Sequence, residues 1–366
     1  MGLPFSGLLD LRQGRSGSVR SFERELTPGP DDPVVSSRLV FRHHLRNGVL
    51  LAGESVPAQG GGRTVQTIAE ICGMSPKAWM ALPPFEERVA VAPDKILRLH
   101  PARGGTPEMR LISLFCPIGK GQRGLIVSPP KAGKTTLLQH LAEAVHAHNP
   151  EVVLLVLLVD ERPEEVTDMR RTVKGRVFAS SSDSDRGRHV RLGVLVLDYA
   201  RRLVETGRDV VILLDSLTRL GRAFNLHQPG SGRTLSGGVD ARALEIPKRI
   251  FGAARNLEGG GSLTILATVL VQTGSRMDEL IFQEFKGTGN MELVLSRPLA
   301  DERLFPALHL HASGTRREEL LFGAGGHRQQ ILRRSIARLS PKEALLAVQA
   351  LLRTHPSNEE LLAGFQ

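Results

Sequence analysis

One stretch limits what this chain can fold into more than any other. Between Pro117 and Ala144 a short apolar strand (Gly124 to Val127) runs into a loop ending Gly133-Lys134-Thr135, and an amphipathic helix follows. A loop that feeds a helix N-terminus presents unpaired N–H groups and the positive end of the helix dipole, and so favours phosphate. In that geometry Lys134 would reach the β- and γ-phosphates of a nucleotide, and the Thr135 hydroxyl would bind Mg²⁺. The usual pattern has a glycine five residues before Gly133, and Ser128 stands there instead. The reading therefore rests on strand, loop and helix arriving in that order, not on Gly-Lys-Thr alone.

The 366 residues leave room for about two domains. With 41% apolar and 23% charged residues the composition is globular. No apolar run approaches the ~20 residues of a membrane helix, and the start of the chain lacks a signal-peptide pattern. No membrane partner is expected. Cys72 and Cys116 lie far apart, which supports neither a disulfide framework nor a zinc site. They read as two buried thiols in a reducing cytoplasm. The net charge of +10 is uneven: residues 1–90 hold 10 Lys+Arg against 9 Asp+Glu, and the remainder holds 38 against 29. A basic nucleotide-binding half points to a polyanion, meaning nucleic acid, although arginine-rich composition would produce the same excess.

In chain order, residues 1–51 carry short apolar runs (Leu8–Leu11, Val34–Val35, Leu39–Phe41, Val49–Leu51) between turn signals such as Pro28-Gly29-Pro30-Asp31-Asp32. That suits a small all-β unit, with Val65 to Ile71 as a returning strand. Trp79 reads as a packed residue. Pro83-Pro84, Pro93, Pro101 and Gly104-Gly105 mark a linker. From Leu111 strands and helices alternate, with buried strands expected at Val152–Val159, Val210–Leu214, Leu263–Val271 and Glu292–Leu295 and a helix at Val190–Glu205. Ser340-Pro341-Lys342-Glu343 starts a terminal helix.

Asp215 ends the strand Val211–Leu214, where an acid beside a phosphate loop can hold Mg²⁺. The competing, less favoured reading is a cap for the helix from Ser216 onward. Glu161, in Asp160-Glu161-Arg162, follows another strand and can orient the water that attacks the γ-phosphate. A surface ion-pair cluster with Arg162 is the competing reading. Two glycine-bearing basic loops, with Arg233 and Arg276, can approach a nucleic-acid backbone closely. His43, His44, His309 and His311 show no metal-ligand spacing.

Residues 117 to about 322 resemble the motor domain of the transcription termination factor Rho family, hexameric RNA-dependent ATPases and helicases. The phrases that carry the resemblance include Pro-Ile-Gly-Lys-Gly-Gln-Arg-Gly-Leu-Ile-Val, Pro-Pro-Lys-Ala-Gly-Lys-Thr, Asp-Glu-Arg-Pro-Glu-Glu-Val-Thr-Asp-Met, Leu-Leu-Asp-Ser-Leu-Thr-Arg and Glu-Phe-Lys-Gly-Thr-Gly-Asn-Met-Glu-Leu. The family also departs from the glycine rule at Ser128. The resemblance implies that Lys131, Ala132, Gly133, Lys134, Thr135 and Thr136 bind nucleotide, with Thr135 and Asp215 at Mg²⁺. It makes Glu161 the water-activating base and Arg316 an arginine finger acting in a neighbouring subunit. Arg303 would lie near that phosphate and Phe305 near the adenine. Arg233 and Arg276 would grip single-stranded RNA in a central pore, with Lys286 as a further RNA contact.

The N-terminal part, through Gly7 to Ser21 and Pro30 to Ser36, resembles the family's cold-shock-like RNA-binding domain. Where that domain has Gly-Phe-Gly-Phe this chain has Arg15-Ser16-Gly17-Ser18, and a family tyrosine is replaced by Val34. The implied architecture is α/β, a RecA-type P-loop ATPase (111–366) preceded by a small all-β OB or cold-shock-like domain (1–82) and a linker (83–110). The implied function is an ATP-dependent RNA translocase, a homo-hexameric ring that pulls RNA through its pore to terminate transcription. RNA polymerase enters as a partner through the resemblance alone. The alternative is a ring ATPase of the same descent with altered cargo or a protein partner.

Overall fold

A computed structural model of the chain describes residues 2–12, 15–58, 61–227, 234–235, 238–240, 242–323 and 326–365. The N-terminal strands close into a barrel. Its members β1 (Leu3–Arg12), β2 (Ser16–Arg20), β3 (Val34–Val35), β4 (Leu50–Pro57) and β5 (Arg63–Ile71) pair in the order β1-β2-β3-β5-β4, and β4 returns to β1. Period-two alternation sends Leu9, Val19, Val35, Leu51 and Val65 inward, where they are buried. The all-β expectation for residues 1–51 needs one correction. Leu39–Phe41 belongs to a helix, α1 (Ser37–Arg42), because the Ser36 hydroxyl accepts the Leu39 N–H and caps it. A second short helix, α2 (Pro76–Met80), plugs the barrel with Trp79, which is 1% exposed.

Residues 83–110 do not form a free tether. Phe85 is buried in the core of the second unit, β6 (Ala90–Val91) joins its sheet, and Leu97 and Leu99 fill the core beside α3 (Pro107–Phe115). Strands and helices then alternate. The first run is β7 (Arg123–Ser128), α4 (Lys134–His148), β8 (Val153–Glu161), α5 (Pro163–Thr172), β9 (Arg176–Ser181), α6 (Arg186–Glu205), β10 (Asp209–Asp215) and α7 (Leu217–His227). A small hairpin of β11 (Thr234–Leu235) and β12 (Val239–Asp240) leads to α8 (Glu245–Phe251), β13 (Arg255–Leu257), β14 (Ser262–Leu270) and α9 (Arg276–Lys286). The chain ends with β15 (Met291–Val294), α10 (Arg297–Asp301), β16 (Gly314–Thr315), α11 (Glu319–Phe322), α12 (Gly326–Ile336), α13 (Pro341–Thr354) and α14 (Asn358–Ala363).

Six of these strands run parallel in the order β15-β7-β14-β10-β8-β9, with β16 antiparallel at one edge and β13 linking β14 to β6. A sheet buried on both faces needs strands apolar at every position, and β8 (Val-Leu-Leu-Val-Leu-Leu-Val before its acids) meets that demand. Val156 and Leu158 pack with α3, α4 and α13, while Leu155 and Leu157 pack with α6 and α7 on the other face. The expected capping box at Ser340 and Glu343 is present in both directions. Buried Arg110 ties α3 to the C-terminal helices through the Leu352 and His355 carbonyls and Asn358.

The barrel is seated on α6. Arg46 donates to Glu205 (2.9 Å) and Asn47 to Asp198 (2.8 Å). Phe22 meets Phe178 and Tyr199 with ring centroids 6.0–6.2 Å apart. Gly48, at φ +79°, brings its Cα so close that a Cβ would sit 2.4 Å from the Tyr199 nitrogen, so only glycine fits here. Glu205 is fully buried and also takes Arg202 and the Phe85 N–H, so one carboxylate joins barrel, connecting segment and motor.

Candidate active site

In a parallel sheet the carboxyl ends of the strands form the natural ligand edge, and four of them converge here. The loop after β7 begins at buried Ser128, whose hydroxyl donates to the Pro129 carbonyl. It ends at Gly133, φ +92°, which sits directly before α4. Among the described residues no side chain caps α4, which leaves its first-turn N–H groups free for a ligand. The left-handed conformation is why this position is glycine. An added Cβ would meet only the Phe305 ring, at 3.7 Å, so the obstacle to substitution is backbone conformation and not space. Gly133→Ala should therefore leave the fold standing and weaken nucleotide binding by about 5- to 30-fold, as for a cost of about 1–2 kcal/mol in this region. Titration with a fluorescent nucleotide checks this, and unchanged affinity would mean that the loop is not the phosphate seat.

Lys134, the first residue of α4, reaches across the edge. Its ammonium donates to both Asp215 carboxylate oxygens (2.6 and 2.5 Å) and to Glu161 Oε1 (3.2 Å). Asp215 comes from the end of β10, Glu161 from the end of β8, and both are about 2% exposed. The Thr268 hydroxyl, on β14, donates to Asp215 Oδ1 at 2.6 Å. Ser216, not Asp215, caps the following helix, since its hydroxyl accepts the Arg219 N–H. Glu161 does not pair with Arg162. Its partner besides Lys134 is Arg219 (3.3 Å), one helical turn past Asp215 on α7. Its second oxygen, Oε2, is buried and has no hydrogen-bond partner among the described residues.

Burial, then the Asp215 charge, push the Glu161 carboxyl above the ordinary glutamate range, with Lys134 and Arg219 pulling the other way. Burial draws the Lys134 ammonium down, yet Asp215 and Glu161 together hold it above the usual lysine range. Thr135 places its hydroxyl 3.4 Å from Glu165 on α5. Beside this centre lies a cleft of about 570 Å³ lined by Lys131, Ala132, Gly133, Thr136, Leu137 and the half-exposed Phe305 ring, among others. The cleft is largely apolar and adjoins the loop that ends at Gly133. Lys131, Asp160, Gln272 and Arg303 are non-glycine residues with positive φ, and all four sit along this edge. Backbone strain of that kind gathers at functional sites.

Other expected residues lie elsewhere. Arg303 is two residues before Phe305 on the cleft border and is exposed. Arg316 follows β16, which pairs with the start of β15, and its N–H bonds Asn290. That is the amino edge of the sheet, opposite the phosphate loop. Lys286, at the end of α9, is also there, 4.0 Å from Glu292. Arg276, exposed at the first position of α9, lies the length of that helix away, about 15 Å. Arg233 is outside the described residues. Arg219, Thr268 and Glu165 join the site without having stood out in the sequence. Arg219 lies four residues after Asp215, a spacing that on a helix returns to the same side. Thr268 reaches Asp215 only through the pairing of β14 with β10, which no local pattern reveals.

Residues 108–315 match the ATP synthase alpha/beta family, nucleotide-binding domain. The whole chain is similar to the transcription termination factor Rho of Pseudomonas fluorescens, 48% identical over 98% of this chain and 87% of the relative. The same named protein of Streptomyces coelicolor is 50% identical over 99% and 85%. Among solved structures, an ATPase from the type III secretion system of pathogenic bacteria aligns with a TM-score of 0.62 at 19% identity, covering 76% of this chain and 87% of that one. An ATP synthase subunit from Nanoarcheaum equitans aligns with a TM-score of 0.60 at 18% identity, covering 75% and 76%. These structural likenesses speak for the fold.

Proposed function

Because the chain belongs to the transcription termination factor Rho family, we propose that it is a ring-forming ATPase that moves along single-stranded RNA and ends transcription by doing so. ATP hydrolysis is the family's chemistry and is carried by the nucleotide-binding domain. The observation that supports the assignment of roles is the meeting of Lys134, from the start of α4, with Glu161 and Asp215, from two separate strand ends, within 3.2 Å. On this reading the nucleotide phosphates draw the Lys134 ammonium away from the carboxylates. Glu161 then accepts a proton from water, and Arg219 keeps it in place. Thr268 holds Asp215.

The all-oxygen donors Thr135 and Asp215 fit Mg²⁺, and the orphaned Glu161 Oε2 shows that this pocket has unused acceptor capacity. Among the described residues no group of three or more His, Cys, Asp or Glu could hold a metal unaided. When bound, Mg²⁺ would neutralise charge on the phosphates.

Arg276 and Arg233 are proposed as pore contacts to RNA, and six copies as the assembly, with RNA polymerase the downstream partner. We place the RNA-loading barrel in residues 1–82 and the motor from 111 onward, with 83–110 packed on the motor. The match extends across the barrel as well as the motor, and so does not favour altered cargo. Among the described residues no helix is long and apolar enough to cross a membrane. The deciding measurement is ATP turnover with and without homopolymer RNAs and single-stranded DNA. Stimulation by RNA but not by DNA is the expected result. Turnover indifferent to every RNA would overturn the translocase reading.

A further inference from the structure

Ser16, Ser18 and Val34 offer no ring face at the positions where the cold-shock-like pattern that this barrel resembles carries aromatics. Ser18 is buried, paired with Asp10 on one side and Val34 on the other, and Val34 offers only an aliphatic side chain. Many of the barrel's cations are also tied up. Arg20 lies between Asp10 and Asp32, and Arg24 shares Asp32. Arg63 donates to the Leu3 and Pro4 carbonyls and to Ser55. Arg46 is held by Glu205.

One patch breaks this pattern. Phe41 is 84% exposed, the most exposed large hydrophobic side chain among the described residues. It sits on α1 three residues after Arg38 and one before Arg42, and both arginines are exposed. Positions 38, 41 and 42 share one helix face, while Val40 turns into the barrel. Among the described residues neither Arg38 nor Arg42 has an ion-pair or hydrogen-bond partner for its guanidinium. Lys77 on α2 is exposed as well, and Trp79 on that helix bonds the His44 carbonyl just past α1 (3.4 Å). A bare ring between two uncommitted guanidiniums is complementary to a chain of phosphates bearing flat bases.

We propose that Arg38, Phe41 and Arg42 form a single-stranded RNA contact: a base stacks on the Phe41 ring, and the two guanidiniums take the flanking phosphates. The proposal rests on the RNA-translocase reading above and adds a place where the barrel itself holds the strand. Every base has a π-face, and phosphates carry no sequence information, so this patch has little base preference.

The test uses the full-length protein, short labelled oligomers of U, A and C, and fluorescence anisotropy at two salt concentrations without nucleotide. Phe41→Ala should weaken binding by about 5- to 100-fold, and Phe41→Leu should fail in the same way because a base needs a ring to stack on. Phe41→Trp should retain affinity, and its emission should be quenched by RNA against the buried background of Trp79. The pair Arg38→Gln and Arg42→Gln should reduce the salt slope by about 0.7 for each phosphate that is no longer neutralised. Wild-type binding left intact by Phe41→Ala overturns the site. Full affinity in Phe41→Leu overturns it too, and points to an apolar protein partner. A wild-type protein that neither binds RNA nor is stimulated by it refutes the translocase reading itself, an outcome distinct from both.

Discussion

Glu161→Gln should bind ATP and hydrolyse it about 10²- to 10⁴-fold more slowly, the loss typical of a general base. The amide keeps the shape of the side chain and its reach to Arg219, so a drop in turnover with nucleotide affinity retained isolates proton transfer. The base must be ionised to act, and burial beside Asp215 raises the pH at which it ionises. The acid limb of the kcat/KM profile, which reports the free enzyme, should therefore lie above the ordinary glutamate range and disappear in the variant. Stability moves the other way. The folded chain keeps this proton to a higher pH than the unfolded chain does. The penalty of the ionised form is thus absent below the unfolded pKa and complete above the folded one. At neutral pH Glu161→Gln should melt higher than the wild type. Unchanged turnover would move the role to another acid, Asp160 being the nearest in sequence.

The position of Glu161 at this edge was legible in the sequence because its signal is local: an acid directly after an apolar run long enough to be a buried strand. The same holds for Asp215 after Val211–Leu214, and for the helix opened by Ser340 and Glu343, where side chain and backbone bond within four residues. Local pattern misleads where tertiary context decides. Leu39-Val40-Phe41 is as apolar as a strand, but only Val40 is buried, and the Ser36 cap turns the segment into α1. The proline-rich stretch 83–110 looks like a tether, yet Phe85, Leu97 and Leu99 are fully buried against elements far away in sequence. β6, β13 and β16 have two or three residues each and exist because a neighbour supplies the hydrogen bonds. Thr268 and Arg219 join the site through the register of β14 with β10 and the turn of α7, and so emerge only once the sheet is assembled.

Arg316→Ala should cut turnover by about 10³- to 10⁵-fold, the factor an arginine finger supplies to phosphoryl transfer, although Arg316 is remote from the phosphate loop of its own chain. It sits beside Asn290 at the amino end of β15, and the Asn290 N–H bonds Arg123 at the start of β7. Lys134 lies beyond the other end of β7, and six residues of strand span roughly 17–20 Å. No side-chain rotation closes that gap, so if Arg316 touches phosphate it touches a neighbour's. Lys286 stands on the same edge and would face the same neighbour. The arrangement predicts complementation. Lys134→Ala subunits lack the phosphate-holding ammonium but keep the finger, and Arg316→Ala subunits have the reverse defect. In a mixed ring, an Arg316→Ala site beside a Lys134→Ala neighbour has both groups intact. Each variant alone should be inactive, and mixing should restore measurable hydrolysis. Lys134 also compensates two buried carboxylates, so its removal should lower the melting temperature, whereas exposed Arg316 should be neutral to stability. Mixed rings verified by native mass spectrometry that stay inactive would count against a shared site, and wild-type turnover in Arg316→Ala alone would end the finger assignment.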